Sequence, residues 1–333
     1  MKGRWVLALV GVLVVIAVVG ALAAQGGGGA TATGLASGSP STTASATPAR
    51  SASGAPSATA TANGSQPTGS PVVHHVWIVV MENHSYDQVV GSTDAPFLNR
   101  LAGEFGMATD YHAVARPSEP NYLALVSGST QGVTDDAIHD ITAPTVFDQL
   151  EAAGHSWRVY AEHVPGGCFR GATAKGGPDG SGTYARKHEP AISFTGISAS
   201  PDRCANIIDF SHFDPGAADL NLIVPDMCHD MHDCSVAAGD EWLSGFIPRI
   251  IGSAAFADGG LLVVTFDEAS GRDSSQHVPL FFAGPSVAAG TQETRQATHY
   301  DLLRTIQAAF GLGCLEESCH AQPMQALLGA PGT

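Results

Sequence analysis

Two pairs of adjacent side chains that carry oxygen ligands follow directly after uninterrupted apolar runs. They are Glu82 with Asn83, and Asp267 with Glu268. Carboxylate and amide oxygens are the hard ligands that Ca²⁺ and Mg²⁺ prefer in proteins. The repeated pattern therefore predicts a metal centre built from both pairs. Taken alone, the first pair is equally compatible with a loop start and a helix cap for a turn that begins near Ser85.

Ser118 is the candidate nucleophile. Pro120 is typical of the first turn of a helix and Gly128 of its end, so Ser118 lies just ahead of a predicted helix N-terminus. The N–H groups and the dipole at that end attract anions such as phosphate. A serine that attacks phosphorus needs this environment and a metal that lowers the pKa of its hydroxyl. The alternative is a plain Ser-x-Pro helix cap.

The loop at residues 225–234 supplies a second dense set of potential ligands. It holds three aspartates and two histidines directly after an apolar run, and two cysteines bracket part of it. A small disulfide ring would hold such a loop rigid, and the alternative is a solvated acidic loop. His277, which precedes a further apolar run, is either a ligand or a strand-edge residue.

A largely parallel sheet would bring these side chains together. The apolar runs at 76–81, 220–224 and 260–266 are typical of strands that are buried on both faces. Segments with helical spacing alternate with the strands and are found at 96–105, 120–128, 144–153, 240–253 and 298–311. Ligands of such sheets bind beyond the carboxyl ends of the strands, where the candidate residues stand. The pattern predicts one α/β domain.

Residues 165–201 are rich in Gly, Ser and Thr and show no periodic pattern. A stretch of this composition and length predicts a surface excursion. We expect it to form a rim over the pocket.

The charge distribution limits the classes of partner. All 31 acidic residues of the 333-residue chain follow residue 70, and the formal net charge is −16. So acidic a surface argues against binding to nucleic acid or to an anionic membrane by bulk electrostatics. A phosphate substrate would need a local positive charge, which a metal ion would supply.

The N-terminal part of the chain predicts export. Lys2 and Arg4 precede an apolar run at residues 5–24, which is either a signal peptide or an anchor in the membrane. Residues 25–70 consist almost entirely of Gly, Ala, Ser, Thr and Pro, and predict a disordered tether. Residues 71–333 are the predicted catalytic domain. We therefore expect a secreted or extracellular protein, which residues 5–24 would anchor to the membrane if they are not cleaved.

Six cysteines in an exported domain predict disulfides. Six cysteines allow 15 pairings. Proximity along the chain favours the pairs Cys228–Cys234, Cys314–Cys319 and Cys168–Cys204. A zinc cluster is less favoured because the chain contains no Cys-x-x-Cys pair.

Five motifs, in register, resemble those of the bacterial phosphoesterase family. They are Met81-Glu82-Asn83 with Ser85-Tyr86-Asp87, Pro117-Ser118-Glu119-Pro120-Asn121-Tyr122, Asp230-Met231-His232-Asp233, Thr265-Phe266-Asp267-Glu268 with His277-Val278-Pro279, and Thr298-His299-Tyr300. The resemblance covers about residues 73–313. It implies an alkaline-phosphatase-like α/β fold, a three-layer sandwich around a largely parallel sheet.

The resemblance also implies roles for individual residues. The metal ligands that it implies are Glu82, Asn83, Ser118, Asp267, Glu268 and Asp230. Ser118 corresponds to the nucleophile that becomes phosphorylated, and His232 or His277 would protonate the leaving alcohol. Asp226 and His229 stand where we expect amides, and either extend the site or have no part in it. Oxygen ligands alone favour Ca²⁺ or Mg²⁺, whereas added histidines favour Zn²⁺ or Fe.

Within this family the chain is most similar to short secreted acid phosphatases, some of which act on phosphoinositides. The expected function is that of a metal-dependent phosphomonoesterase with a phosphoserine intermediate. Its substrate would be a phosphate monoester or a phospholipid-derived molecule. The alternatives are a phospholipase C, which cleaves the other phosphoester bond of a lipid, and a metal-stabilised binding protein without turnover.

Overall fold

A computed structural model describes residues 73–166, 168–177, 180, 182–271 and 273–329. The predicted signal peptide or anchor and the predicted tether lie outside the described residues. Within the part of the chain that is described, no helix is both long enough and apolar enough to cross a bilayer.

The described residues form twelve strands. They are β1 (His75–Met81), β2 (Gly106–Ala108), β3 (Tyr111–His112), β4 (Trp157–Ala161), β5 (Thr173–Gly176), β6 (Gly182–Ala185), β7 (Ile207–Ile208), β8 (Leu220–Val224), β9 (Gly260–Phe266), β10 (Leu280–Ala283), β11 (Thr291–Glu293) and β12 (Ala297–Thr298). Eight of them make one sheet in the order β11-β2-β10-β9-β1-β8-β4-β7. In this sheet β10 runs antiparallel to both of its neighbours and the other strands share one direction.

Helices cover the sheet on both faces. The α-helices of the described residues are α1 (Tyr86–Val89), α2 (Pro96–Glu104), α3 (Ser118–Ser127), α4 (Val146–Ala153), α5 (Thr195–Ser198), α6 (Pro201–Cys204), α7 (Val236–Ile251), α8 (Ala254–Ala257) and α9 (His299–Ala309). Short 3-10 turns cover Arg186–His188, Pro190–Ser193, Phe210–His212, Glu316–Cys319 and Gln325–Leu328. Helix α3 packs against α4 and α9, while α7 packs against α2 and α8. The predicted three-layer architecture is confirmed.

The register of the central strands explains where the site forms. Every residue of β9 is buried, as are all but the first residue of β1, which suits their continuous apolar sequences. The two strands are parallel, and Met81 lies opposite Phe266 at their carboxyl ends. The residues that follow both strands, Glu82 and Asp267, therefore leave the sheet side by side. β8 lies on the other side of β1 and delivers residues 225–234 to the same edge.

Three disulfides join Cys168 to Cys204, Cys228 to Cys234, and Cys314 to Cys319. The pairing predicted from proximity is confirmed. The ring closed by Cys228 and Cys234 spans the loop after β8.

The prediction of a surface excursion at residues 165–201 is wrong for its second half. Residues 182–185 form β6, and Arg186, His188 and Glu189 are buried. The Glu189 carboxylate accepts hydrogen bonds from the backbone N–H groups of Ala191 and Ile192 and so holds the next turn. Composition alone did not reveal this packing because the segment has neither helical nor strand periodicity.

Candidate active site

Glu82 is fully buried directly after β1 and accepts hydrogen bonds from three side chains. Its Oε2 accepts one from Ser118 Oγ at 3.0 Å and one from Asn83 Nδ2 at 3.1 Å. Its Oε1 accepts one from the Tyr122 hydroxyl at 2.7 Å. Ser118 Oγ also lies 3.5 Å from Glu268 Oε1. The structure therefore brings the predicted nucleophile into contact with one carboxylate from each predicted pair.

Ser118 is the first residue of α3 and is buried. Asn121, in the first turn, ties down the segment that leads into the helix. Its Oδ1 accepts hydrogen bonds from the N–H groups of Val114 and Ala115, and its Nδ2 donates to the carbonyls of Ala115 and Pro117. Four hydrogen bonds with Asn121 thus hold the chain before Ser118, and they help to position the Ser118 hydroxyl against Glu82.

Asp267 is buried beside the first pair. Its Oδ1 accepts a hydrogen bond from the Asn83 N–H at 3.0 Å, and its Oδ2 has no hydrogen-bond partner among the described residues. Burial, and then the negative charge of Glu268, raise the pKa of Asp267 to about 7. Glu268 itself faces Arg116, whose NH1 lies 3.1 Å from Glu268 Oε2.

His188 lies between Glu82 and Asp230, and the sequence analysis did not identify it. Its Nε2 is 3.2 Å from Glu82 Oε1 and its Nδ1 is 3.0 Å from Asp230 Oδ2. Neither pair of atoms has the geometry of a hydrogen bond, so both ring nitrogens and Asp230 Oδ2 are buried without a described hydrogen-bond partner. Burial lowers the pKa of His188 well below its usual value, which favours the neutral imidazole. Its ring stacks on Tyr122.

A more exposed group of polar residues borders these acids. His232 Nε2 lies 3.3 Å from Lys187 Nζ, which donates a hydrogen bond to Asp136 at 3.0 Å. His232 Nδ1 is 2.8 Å from Asp233 Oδ1. Burial acts to lower the pKa of Lys187, but the Asp136 hydrogen bond and the charge of Glu82 raise it overall, so the ammonium stays charged. Lys187 and Arg116 thus supply positive charge that the composition had led us to expect only from a metal.

His277 lies apart from these residues. Its ring stacks between Tyr86, at 4.3 Å, and His112, at 5.1 Å between centroids. Its Nε2 is 3.2 Å from the carbonyl oxygen of Thr109. Among the described residues the structure shows no hydrogen bond or ion pair from the His277 side chain to Glu82 or Ser118.

The donor set fits a divalent cation. The pKa values of Glu82, Asp230 and Asp267 are all raised by burial, and the mutual repulsion of the carboxylates adds to this for Glu82 and Asp230. Donor atoms of Glu82, His188 and His232 lie within 4.8 Å of one another. Buried carboxylates that repel one another, beside buried polar atoms with no described hydrogen-bond partner, are stabilised by a cation that both can ligate.

Four residues of this arrangement are additions to the sequence prediction. They are Arg116, Tyr122, Lys187 and His188. Arg116 directly precedes the Ser118 motif and Tyr122 is its last residue, so their proximity in sequence was a usable signal. Lys187 and His188 lie in a stretch without periodicity and could not be distinguished there from surface residues.

Residues 91–313 match the Phosphoesterase family. The chain belongs to the phosphoesterase family. The matched residues include Ser118, Asp267 and Glu268, and begin after the Glu82 motif. The prediction of a hydrolase that acts on phosphoric ester bonds is confirmed at the level of the family.

This phosphoesterase matches a different share of the length of each relative. It is 33% identical over 273 residues to the phosphatidylinositol-3-phosphatase of Mycobacterium tuberculosis, covering 80% of this chain and 86% of that protein. It is 30% identical over 250 residues to an acid phosphatase of Aspergillus fumigatus, covering 72% of this chain and 55% of that protein. A more distant relative is the non-specific phospholipase C1 of Arabidopsis thaliana, at 25% identity over 55% of this chain and 33% of that protein.

Solved structures confirm the predicted fold. A protein in the alkaline phosphatase superfamily from Vibrio parahaemolyticus superposes with a TM-score of 0.53 at 14% identity, over 76% of this chain and 70% of that one. The phosphonate monoester hydrolase of Agrobacterium radiobacter gives a TM-score of 0.51 at 13% identity, over 77% of each chain. At such identities the likeness concerns the fold alone.

Proposed function

We propose that this phosphoesterase is an exported, metal-dependent phosphomonoesterase that uses Ser118 as its nucleophile. The observation that carries the proposal is the position of Ser118. Its hydroxyl is buried at the N-terminus of α3, between Glu82 and Glu268. A structural helix cap needs no such pair of carboxylates, which would be costly to bury without a function.

The residues that would hold the cation are the predicted ligands Glu82, Asn83, Ser118, Asp267, Glu268 and Asp230, with His188 and His232 beside them. When bound there, a divalent cation supplies positive charge that lowers the pKa of the Ser118 hydroxyl and neutralises phosphoryl oxygens. The oxygen-rich side favours Ca²⁺ or Mg²⁺, and the two histidines favour Zn²⁺ or Fe. Metal analysis of the purified protein decides between them.

In the first step Ser118 Oγ attacks phosphorus in line with the bond to the leaving alcohol. The Ser118 hydroxyl donates a hydrogen bond to Glu82, which therefore lies in position to receive the Ser118 proton. The bond between phosphorus and the leaving oxygen breaks, and His232 donates a proton to that oxygen. Arg116 and Lys187 hold the negative phosphoryl oxygens.

In the second step water attacks the phosphoserine. The bond between phosphorus and Ser118 Oγ breaks, Ser118 takes back the proton that Glu82 received in the first step, and inorganic phosphate leaves. His232, now deprotonated, accepts the proton from the attacking water, which restores the starting state.

We infer that the substrates are phosphate monoesters, with phosphoinositides as candidates. Support comes from the similarity to the mycobacterial phosphatidylinositol-3-phosphatase, which extends over most of both chains. The three disulfides support an oxidising, extracellular location.

Activity assays with the Ser118→Ala variant test the proposal. The wild type should release inorganic phosphate from p-nitrophenyl phosphate and from phosphatidylinositol 3-phosphate. Ser118→Ala should fold and lose on the order of a thousandfold or more in turnover. Ser127→Ala, in the last turn of the same helix, is the matched control and should keep near-normal turnover, because among the described residues its hydroxyl bonds to local backbone and to Gln131, away from Glu82.

The products also separate the alternatives. Diacylglycerol release from phosphatidylcholine would identify a phospholipase C, and the absence of turnover on every substrate would indicate a binding protein. Near-normal turnover of a folded Ser118→Ala variant would contradict the assignment of the nucleophile. Acid quenching followed by mass spectrometry should find phosphate on Ser118 in the wild type.

A further inference from the structure

A second cluster of metal-ligating side chains lies outside the proposed active site. It consists of Glu162, His163, Asp226 and His229. The first two follow β4 and the last two follow β8, and these neighbouring strands are parallel, with Ala161 opposite Val224 at their ends. Two residues of the cluster are therefore delivered by each strand to the same edge of the sheet.

The donor atoms of the cluster lie close together. His163 Nε2 is 3.1 Å from Asp226 Oδ2 and 4.0 Å from Glu162 Oε1. His229 Nδ1 is 2.8 Å from Glu162 Oε2 and 3.5 Å from Asp226 Oδ2. A tetrahedral zinc ion with bonds of about 2.0–2.1 Å separates its ligand atoms by about 3.3 Å. The four distances bracket that value. Glu162 faces His163 with Oε1 and His229 with Oε2, and single donor atoms of Glu162, Asp226 and His229 lie within 4.8 Å of one another.

Backbone groups already orient both carboxylates. Asp226 Oδ1 accepts hydrogen bonds from the N–H groups of Cys228 and His229, which leaves Oδ2 directed at the two histidines. Glu162 accepts a hydrogen bond from the Asp226 N–H. Such outer partners are what fixes the ligands of metal sites in their binding geometry.

The fold also makes room for the His163 ring. Gly176 and Gly182 lie opposite each other in the hairpin of β5 and β6, and a Cβ atom at either position would collide with the imidazole. A Cβ at Gly182 would also meet Asp226 Oδ2 at 2.7 Å. His163 itself adopts a left-handed backbone conformation, with φ of 64°. Strained backbone conformations are typical of functional sites. The strain at His163 and the two glycines that accommodate its ring therefore favour a binding role for this histidine.

We propose that Glu162, His163, Asp226 and His229 form a second divalent-cation site, whose histidine nitrogens and carboxylate oxygens are ligands that zinc accepts. Asp226 is buried and Glu162 nearly so, whereas His229 reaches solvent and provides a path for the ion. The alternative is a network in which the histidines donate hydrogen bonds to the two acids without any metal.

The position of this site suggests what it does. Met227, next to Asp226, donates its N–H to the carbonyl of Thr183 in β6. The loop continues to Asp230 and His232, and the chain that follows β6 continues to His188. A cation bound by Asp226 and His163 would join the ends of β8 and β4 and would hold the His163 ring against Gly182 of β6, as a structural ion outside the reaction.

Metal counting on the full chain tests the proposal. The wild type is stripped with a chelator, titrated with zinc, desalted and analysed for bound metal. His163→Gln and His229→Gln should each bind one zinc equivalent fewer than the wild type and lose the zinc-induced rise in Tm that belongs to this site. His212→Gln, an exposed histidine outside the cluster, is the matched control and should bind as much zinc as the wild type.

Wild-type protein that takes up no stoichiometric zinc would overturn the proposal without any variant. Equal zinc content in folded His163→Gln, His229→Gln and His212→Gln would overturn it as well. Should either histidine variant fail to fold, Glu162→Gln, which keeps the shape of the side chain, serves in its place. This experiment measures bound metal, whereas the test of the proposed function measures the turnover of Ser118→Ala. Failure of the second metal site can therefore be distinguished from failure of the proposed function.

Discussion

Ser118, Asn83 and Tyr122 all donate hydrogen bonds to the single carboxylate of Glu82. This arrangement keeps the Ser118 hydroxyl in one orientation before substrate binds. It also stabilises negative charge at Glu82, which burial otherwise opposes by raising its pKa. The same residue thus orients the Ser118 hydroxyl and, in the proposed function, would present a ligand to a cation.

The two candidate histidines for protonating the leaving group differ in their surroundings. His232 lies beside Lys187 and next to the buried acids, whereas His277 is stacked between Tyr86 and His112. We predict that His232→Ala lowers kcat on p-nitrophenyl phosphate by about a hundredfold or more, and that His277→Ala changes it less than tenfold. The contrast should shrink with an activated substrate such as dinitrophenyl phosphate, whose leaving group needs no proton. A larger loss for His277→Ala than for His232→Ala would reverse the assignment.

His299 gives a pH-dependent contribution to stability. It is fully buried, its Nε2 lies 2.6 Å from the Asp267 carbonyl, and its Nδ1 lies 2.8 Å from the Tyr111 hydroxyl. Burial lowers the pKa of His299 to about 4. In the unfolded chain the pKa of histidine is about 6.5. Between about pH 6.5 and pH 4 the unfolded state therefore binds a proton at His299 that the folded state does not bind, and the free energy of unfolding falls as the pH drops through this range.

The expected size of this effect between pH 7 and pH 5 is about 2 kcal/mol. Urea unfolding of the wild type and of His299→Gln at both pH values measures it. The difference in unfolding free energy between the two proteins should shrink by that amount at pH 5. A constant difference would show that His299 titrates alike in both states. The comparison with the variant is needed because buried acids with raised pKa values, such as Asp267, act in the opposite direction.

At the scale of elements, helix α3 connects the site to the rest of the domain. Ser118 begins it, and Gly128 ends it in a left-handed conformation with φ of 76°. Gly128 accepts a hydrogen bond from the Glu317 N–H and lies directly against the Leu315 carbonyl. The end of the helix is thus fixed by the segment closed by the disulfide between Cys314 and Cys319.

We predict that Gly128→Ala destabilises the protein by more than about 1 kcal/mol, because alanine disfavours this φ and its Cβ would collide with Leu315. Gly103→Ala, in α2, is the matched control. Gly103 is exposed and a Cβ there meets no atom within 4 Å, so the change should stabilise by up to about 1 kcal/mol. Thermal or urea unfolding of the two variants measures whether each substitution lowers or raises the free energy of unfolding. Equal effects of the two substitutions would contradict this account of Gly128.

At the scale of the whole molecule, the chain combines a strongly acidic composition with a substrate that is itself an anion. The formal net charge is −16. In the proposed function, Arg116 and Lys187 would provide the positive charge close to a bound phosphate, and salt screens the repulsion from distant acids. Catalysis should therefore depend on the local arrangement in the domain and not on the N-terminal part of the chain.

We predict that the tether is dispensable for catalysis. Residues 25–70 have almost no apolar side chain larger than alanine, and so nothing to bury against the domain. A chain that begins at residue 71 should match one that begins at residue 25 in kcat/KM and in Tm. Both quantities should agree within experimental error when measured side by side. A large drop in either one would place the domain boundary earlier than residue 71.

The elements whose residues are buried in an unbroken run were predictable from the apolar pattern of the chain. Strands β8 and β9 begin and end where the apolar runs do, and β1 ends at Met81 as expected. These runs carry a strong local signal because every side chain enters the core. The polar residues that follow them, Glu82 and Asp267, could be assigned to one edge because parallel strands end together. The pairs Cys228–Cys234 and Cys314–Cys319 were predictable for a similar reason, since few residues separate the partners.

Which other side chains meet Glu82 depends on long-range packing in the folded domain. His188 and Lys187 come from a 3-10 turn whose burial results from packing against α3, and no periodicity marks such a turn in the sequence. His163 and Asp226 likewise meet because β4 and β8 are neighbours in the sheet, although 63 positions separate them along the chain. Strand order depends on how the whole set of helices and strands packs. That order is a property of long-range contacts, which local patterns of hydrophobicity do not encode.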